Sequence, residues 1–87
     1  MKSLKSLFDS FPVLVINRYY HKAKVIKQNL DNGIDYQAVG GKKLRLAENL
    51  IRFKLGEYRL IFKRSESGFV PESLIQRKSL HLFLKRR

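Results

Sequence analysis

The sequence predicts an α+β domain: two N-terminal helices packed on a small antiparallel sheet of three to four strands. Three observations carry this. Apolar residues recur at helical spacing through the first third of the chain, from Leu14 to Leu30. Residues 51–62, "IRFKLGEYRLIF", alternate apolar and polar on both sides of a Gly-Glu pair, as a hairpin does. Near the C-terminus Leu80, Leu82 and Leu84 alternate with His81, Phe83 and Lys85, which is again strand-like. The 87 residues make one domain, 1–87. A chain this short buries only about 60% of the surface its unfolded form exposes, so its core is thin.

The elements follow in order. "SLKSLF" is an amphipathic turn or two, with Leu4, Leu7 and Phe8 on one side. Ser10 is placed to cap a second helix, with Phe11 and Pro12 in its first turn, where proline's missing N–H costs nothing. Leu14, Ile16, Tyr19, Tyr20, Ala23, Ile26 and Leu30 form the apolar side of that helix, with Tyr19 and Tyr20 as core and rim. "PVLVI" is also β-branched enough for a strand, and periodicity alone does not separate the two. "LDNG" is a helix stop, with Gly33 suited to a left-handed conformation. Residues 34–48 are a loop holding the Gly40-Gly41 pair and a short strand near Lys43–Leu46. "RSESGFVPES" is rich in turn residues and reads as a loop.

Composition narrows the function classes. Cysteine is absent, so disulfides and thiolate metal sites are excluded. His21 and His81 are far apart and the carboxylates scattered, so no metal site and no cofactor are expected. The longest apolar run, Val13 to Ile16, is far too short for a bilayer, and no membrane partner is expected. No signal-peptide pattern follows "MKSLKSLFDSFPVLV", and the chain is expected in the cytoplasm. Nineteen Lys and Arg against seven Asp and Glu give a net charge of +12 and a pI near 10.4. Such a surplus opposes compaction and favours polyanionic partners, nucleic acid first. The 44% apolar content argues against a disordered basic tail.

With Gly56-Glu57 as a two-residue, type II′ loop, Lys54 faces Arg59 and Ile51, Phe53, Leu55, Tyr58, Leu60 and Phe62 share a core face. The opposite face carries Arg52, Lys54, Arg59, Ile61 and Lys63. Lys54 against Arg59 is a like-charge cross-strand pair, which costs local stability that a docked anion would restore. A four-residue loop would keep the cationic face but change the pairing. "GGKK" at 40–43 lacks the spacing of a nucleotide-triphosphate loop, yet Lys42 and Lys43 suit an RNA backbone.

"KKLRLAENLIRFKLGEYRLIFKR" resembles the middle of the RelE/ParE superfamily of bacterial toxins from type II toxin–antitoxin systems. The likeness is strongest from Lys42 to Lys63, where Gly56, Tyr58, Arg59, Leu60 and Ile61 follow an alternating basic strand. The RelE branch cuts mRNA on the ribosome. The resemblance therefore implies a metal-independent endoribonuclease that inhibits translation, whose partners are the ribosome, mRNA and a small acidic antitoxin. It makes Arg52 and Lys54 the basic pair of the central strand and Arg59 the phosphate clamp. "QRKSLHLF" resembles a later segment with a second arginine, Arg77, and an aromatic residue, Phe83, which lacks the phenolic hydroxyl of many members. An alternative match of "LHLFLKRR" to HigB-like members makes His81, Lys85 and Arg86 the contacts instead. The family's usual first strand has no counterpart in "MKSLKS".

RNA cleavage by its own 2′-hydroxyl needs a base, an acid and cations around the phosphorane-like transition state. A lysine crowded by cations can act as the base, and Lys54 has Arg52 and Arg59 beside it. The candidate catalytic residues are thus Lys54, Arg59 and Arg77. The candidate nucleic-acid contacts are Arg52, Lys63, Lys42, Lys43, His81, Lys85 and Arg86. ParE-branch members share the fold, bind DNA gyrase and do not cut RNA, so a gyrase-binding toxin is one alternative. A basic RNA-binding module without activity is another.

Overall fold

A computed structural model describes residues 3–45, 47–80 and 82. Along the chain come α1 (Leu4–Phe8), α2 (Val13–Asp31), a 3-10 turn (Tyr36–Val39), β1 (Lys42–Leu44), β2 (Ala47–Leu55), β3 (Tyr58–Ser65), β4 (Gly68–Gln76) and a second 3-10 turn (Arg77–Ser79). The strands form one antiparallel sheet in the order β1-β2-β3-β4, each beside its chain neighbour. No helix among the described residues is long and apolar enough to cross a membrane.

The helices begin and end for identifiable reasons. Ser3 and Ser6 close a capping box at the start of α1. Pro12, not Ser10, is the residue flanking α2; its ψ of 150° is extended, and it brings no side-chain cap. The helix therefore starts two residues later than the sequence suggests, and its first two residues face solvent. Val13 and Leu14 are 68% and 81% exposed, so Leu14 is not part of the packed face. That face is Ala23, Ile26 and Leu30, at i, i+3 and i+7. At the other end Ile34 N–H bonds to Asn29 C=O and Gly33 N–H to Leu30 C=O. With Gly33 at φ 83° this is a Schellman stop.

The β2–β3 hairpin has the predicted register throughout: Leu55 pairs with Tyr58, Lys54 with Arg59, Phe53 with Leu60, Arg52 with Ile61 and Ile51 with Phe62. Gly56 has φ 60° and no non-glycine residue among the described residues has a positive φ, which leaves positive φ at the first turn position alone, as in type II′. The helix-facing side buries Ile51, Phe53, Leu55, Leu60, Phe62 and Leu74 against Leu4, Phe8, Ala23, Ile26 and Leu30. Phe53 and Phe62 meet edge to face, with centroids 5.5 Å apart at 81°. Gly41 lies against this core: a Cβ there would stand 2.7 Å from Phe53 Cε2 and 2.9 Å from Ile51 Cγ2. Close approach to the core explains one glycine of the pair.

Two expectations need correction. "RSESGFVPES" is no loop: Ser65 pairs with Gly68 across Glu66-Ser67, and Gly68–Gln76 forms β4. Pro71 is tolerated because β4 is an edge strand and the ladder shifts register between Ile61 and Phe62, where Pro71 and Ser73 take successive partners. The strand expected from the alternation of Leu80, Leu82 and Leu84 is not seen at the first two of these. Leu80 and Leu82 have helical backbone, and residues 81 and 83–87 lie outside the described residues.

Candidate nucleic-acid interface

Strand parity builds the site. Arg52 and Lys54 lie on the face of β2 opposite the helices, and Arg59 stands across from Lys54. Lys42, on β1, pairs with Arg52 and joins the same face. Lys43 pairs with Ile51, a core-face position, so it points with the other parity and leaves the group. Lys63 shares the face but sits four residues along β3 from Arg59, about 13 Å away. Arg77 arrives from the end of β4, where its N–H donates to Glu57 C=O at 2.7 Å. Four of the predicted residues thus gather around Arg59: Arg52, Lys54, Arg77 and, across Arg52, Lys42. His81, Lys85 and Arg86 lie outside the described residues, as does Phe83.

Arg59 is not the splayed surface cation that alternation suggests. It is 7% exposed. Its Nη1 donates to the carbonyls of Gly56 at 2.9 Å and Tyr58 at 2.8 Å, and it has no carboxylate partner among the described residues. Burial lowers its pKa from the ordinary arginine value, and the charges of Arg52 and Arg77 lower it further. Arginine stays protonated regardless, so the direction means that holding this charge costs the fold stability. A neighbouring anion reverses that cost. The remaining N–H groups of the guanidinium form a planar fork suited to a phosphate.

A second apolar cluster shelters this side. Leu44, Leu50 and Ile61 are buried there, with Ala47, Ile75 and Leu80 packed against them. Ile61 and Leu50 were the visible signal, since they interrupt an otherwise cationic face. An open cleft of about 290 Å³ lies beside the hairpin turn, lined by Glu57, Gln76, Arg77 and Lys78. On the helix side a broader groove of about 700 Å³ runs past Leu14, Arg18, Tyr19 and the turn.

The model of the ParE-like toxin domain family matches residues 17–79, well over half of the chain. The chain belongs to this family. No curated protein and no solved structure gives a significant match. The matched span of this ParE-like toxin takes in most of α2, the whole sheet and every described residue of the cationic group. Membership implies a cognate antitoxin.

The like-charge pair yields a prediction. Lys54→Glu replaces repulsion with an ion pair to Arg59 and is expected to stabilise the toxin by about 0.5 kcal/mol. Thermal melting should show a gain of about 2–4 °C. The same variant should bind RNA more weakly in a filter-binding titration. Loss of both stability and affinity would show that Lys54 holds the strand pair together.

Proposed function

We propose that the protein is a ribosome-dependent mRNA endonuclease, neutralised by a small acidic antitoxin, with its active face on the outer side of the β2–β3 hairpin. The observation that carries this reading is Arg59: a buried arginine with no acidic partner among the described residues, flanked by Arg52 and Arg77. Keeping such a charge costs stability, and a phosphate supplies the missing counter-charge. In this reading the 2′-hydroxyl oxygen attacks the adjacent phosphorus while its proton passes to Lys54 Nζ, the candidate base. The bond to the 5′ oxygen breaks, leaving a 2′,3′-cyclic phosphate and a 5′-hydroxyl. Arg59 and Arg77 hold the non-bridging oxygens as charge builds on them. Arg52, Lys42 and Lys63 track flanking phosphates, Lys43 contacts the backbone from the β1 edge, and His81, Lys85 and Arg86 are the C-terminal candidates. His81 is the candidate donor to the departing oxygen.

The test is primer extension on a reporter mRNA with purified protein, with and without translating ribosomes. Cuts that need ribosomes support the reading, and no cuts in either condition sink it. A second reading, a non-nuclease toxin that binds DNA gyrase, is favoured by a different observation. The exposed Leu14 lines the helix-side groove, and the exposed Val13 precedes it in the chain, a surface of the kind that meets protein. Inhibition of gyrase supercoiling without RNA cleavage would establish it.

A further inference from the structure

The hairpin turn is held from both faces of the sheet. On the cationic face Arg59 Nη1 takes the carbonyls of Gly56 and Tyr58, and the Arg77 N–H takes the Glu57 carbonyl between them. On the helix face α2 presses Tyr19 onto the same residue: a Cβ at Gly56 would collide with Tyr19 Oη and stand 2.7 Å from Cζ. The Tyr19 ring also packs on Tyr58 at 5.8 Å, and Tyr58 on Phe11 at 5.5 Å. The plane of the Arg59 guanidinium is set by two carbonyls, and the aromatic group on α2 side limits where those carbonyls can be. Gly56, at φ 60° and with no side chain, lets the contact pass from one face to the other.

We propose that Tyr19 is a positioning residue for the anion site, acting through Gly56 to aim the free N–H groups of Arg59 at a phosphate. It rests on the reading of Arg59 as the phosphate clamp. Tyr19 touches no substrate. Its effect is to remove slack from the turn, so that the fork of Arg59 is set before the ligand arrives. A bidentate clamp is sensitive to such slack, because a misplacement of about 1 Å is enough to cost up to about a hundredfold.

The experiment follows the Arg59 Nε–Hε resonance of the full chain during titration with inorganic phosphate at low salt, with a thermal melt of each variant. Tyr19→Phe keeps the ring and removes the hydroxyl against Gly56; it is expected to weaken phosphate binding severalfold with little change in melting. Gly56→Ala is expected to weaken it by about tenfold. Leu74→Ala, in the core away from the turn, should lower the melting temperature without changing phosphate affinity. Unaltered affinity in Tyr19→Phe and Gly56→Ala would overturn the proposal while leaving the clamp in place. So would an equal loss in Leu74→Ala. A resonance that does not respond to phosphate in the unaltered protein would remove the clamp reading and the proposal together.

Discussion

Arg59→Ala is expected to abolish ribosome-dependent cleavage while leaving the chain folded. The functional loss should be at least about a hundredfold in single-turnover rate, the usual cost of deleting a preorganised group that stabilises transition-state charge. The structural loss should be small, because two terms oppose one another. Truncation forfeits the hydrogen bonds to Gly56 and Tyr58, at about 1 kcal/mol each. It also removes a desolvated charge that Arg52 and Arg77 repel. Arg59→Lys separates charge from shape. A lysine keeps the cation but cannot hold two carbonyls and a phosphate in one plane, so its rate should fall between those of the alanine variant and the unaltered toxin. Cleavage rates measured beside thermal melts decide the matter. An active, destabilised Arg59→Ala would make this residue a structural clip and move the search for the clamp to Arg52 and Arg77.

The largest stability effect is expected at Phe62→Ala. Phe62 is fully buried on β3 and meets Phe53 edge to face, at the centre of the sheet's packed side. Removing a buried ring typically costs about 3–5 kcal/mol. A domain of 87 residues has a total stability on the order of 4–13 kcal/mol. The variant should therefore be largely unfolded near 37 °C or melt at least about 15 °C below the unaltered toxin. Phe62→Leu, which keeps most of the volume, should cost about 1 kcal/mol. Urea titration followed by circular dichroism measures both. A loss near 1 kcal/mol for the alanine variant would mean that the helices collapse onto the vacated space. Because β3 carries Phe62 on one face and Arg59 on the other, loss of the core should also take the cationic face with it.

The hairpin was legible in the sequence because two independent constraints agree there. Alternation fixes which residues face the core, and a two-residue turn with glycine first fixes the register. Elsewhere a local signal met a tertiary exception. Gly68 and Pro71 look like loop residues, yet an edge strand with a shifted ladder accepts both. Leu80 and Leu82 alternate like a strand, but β4 has already ended at Gln76 and the backbone turns helical. Leu14 fits the helical period, yet it is exposed at the start of the helix, beside the groove next to the β2–β3 turn. For the site, the sequence placed Arg52, Lys54 and Arg59 on one face. It could not show that Arg59 is buried, because the cover comes from contacts that no spacing encodes. Lys43 was grouped with Lys42 by proximity in sequence, and strand parity separates them.

The neighbour-to-neighbour order of the strands has a kinetic consequence. Every ladder closes a short loop, so the sheet assembles from contacts between nearby residues, and such topologies fold fast, on the order of milliseconds or less. The β2–β3 hairpin closes across two residues, as its neighbours do, and it brings Lys54 opposite Arg59 as it closes. Contact between α1 and β4 spans most of the chain and is entropically the slowest to close. The cationic surface is thus expected to exist in the folding nucleus, before the N-terminal helix docks. A polyanion or acidic partner present at that stage would speed folding by relieving the repulsion within the nucleus. Stopped-flow refolding with and without heparin would register this as a steeper gain in the folding rate than loss in the unfolding rate.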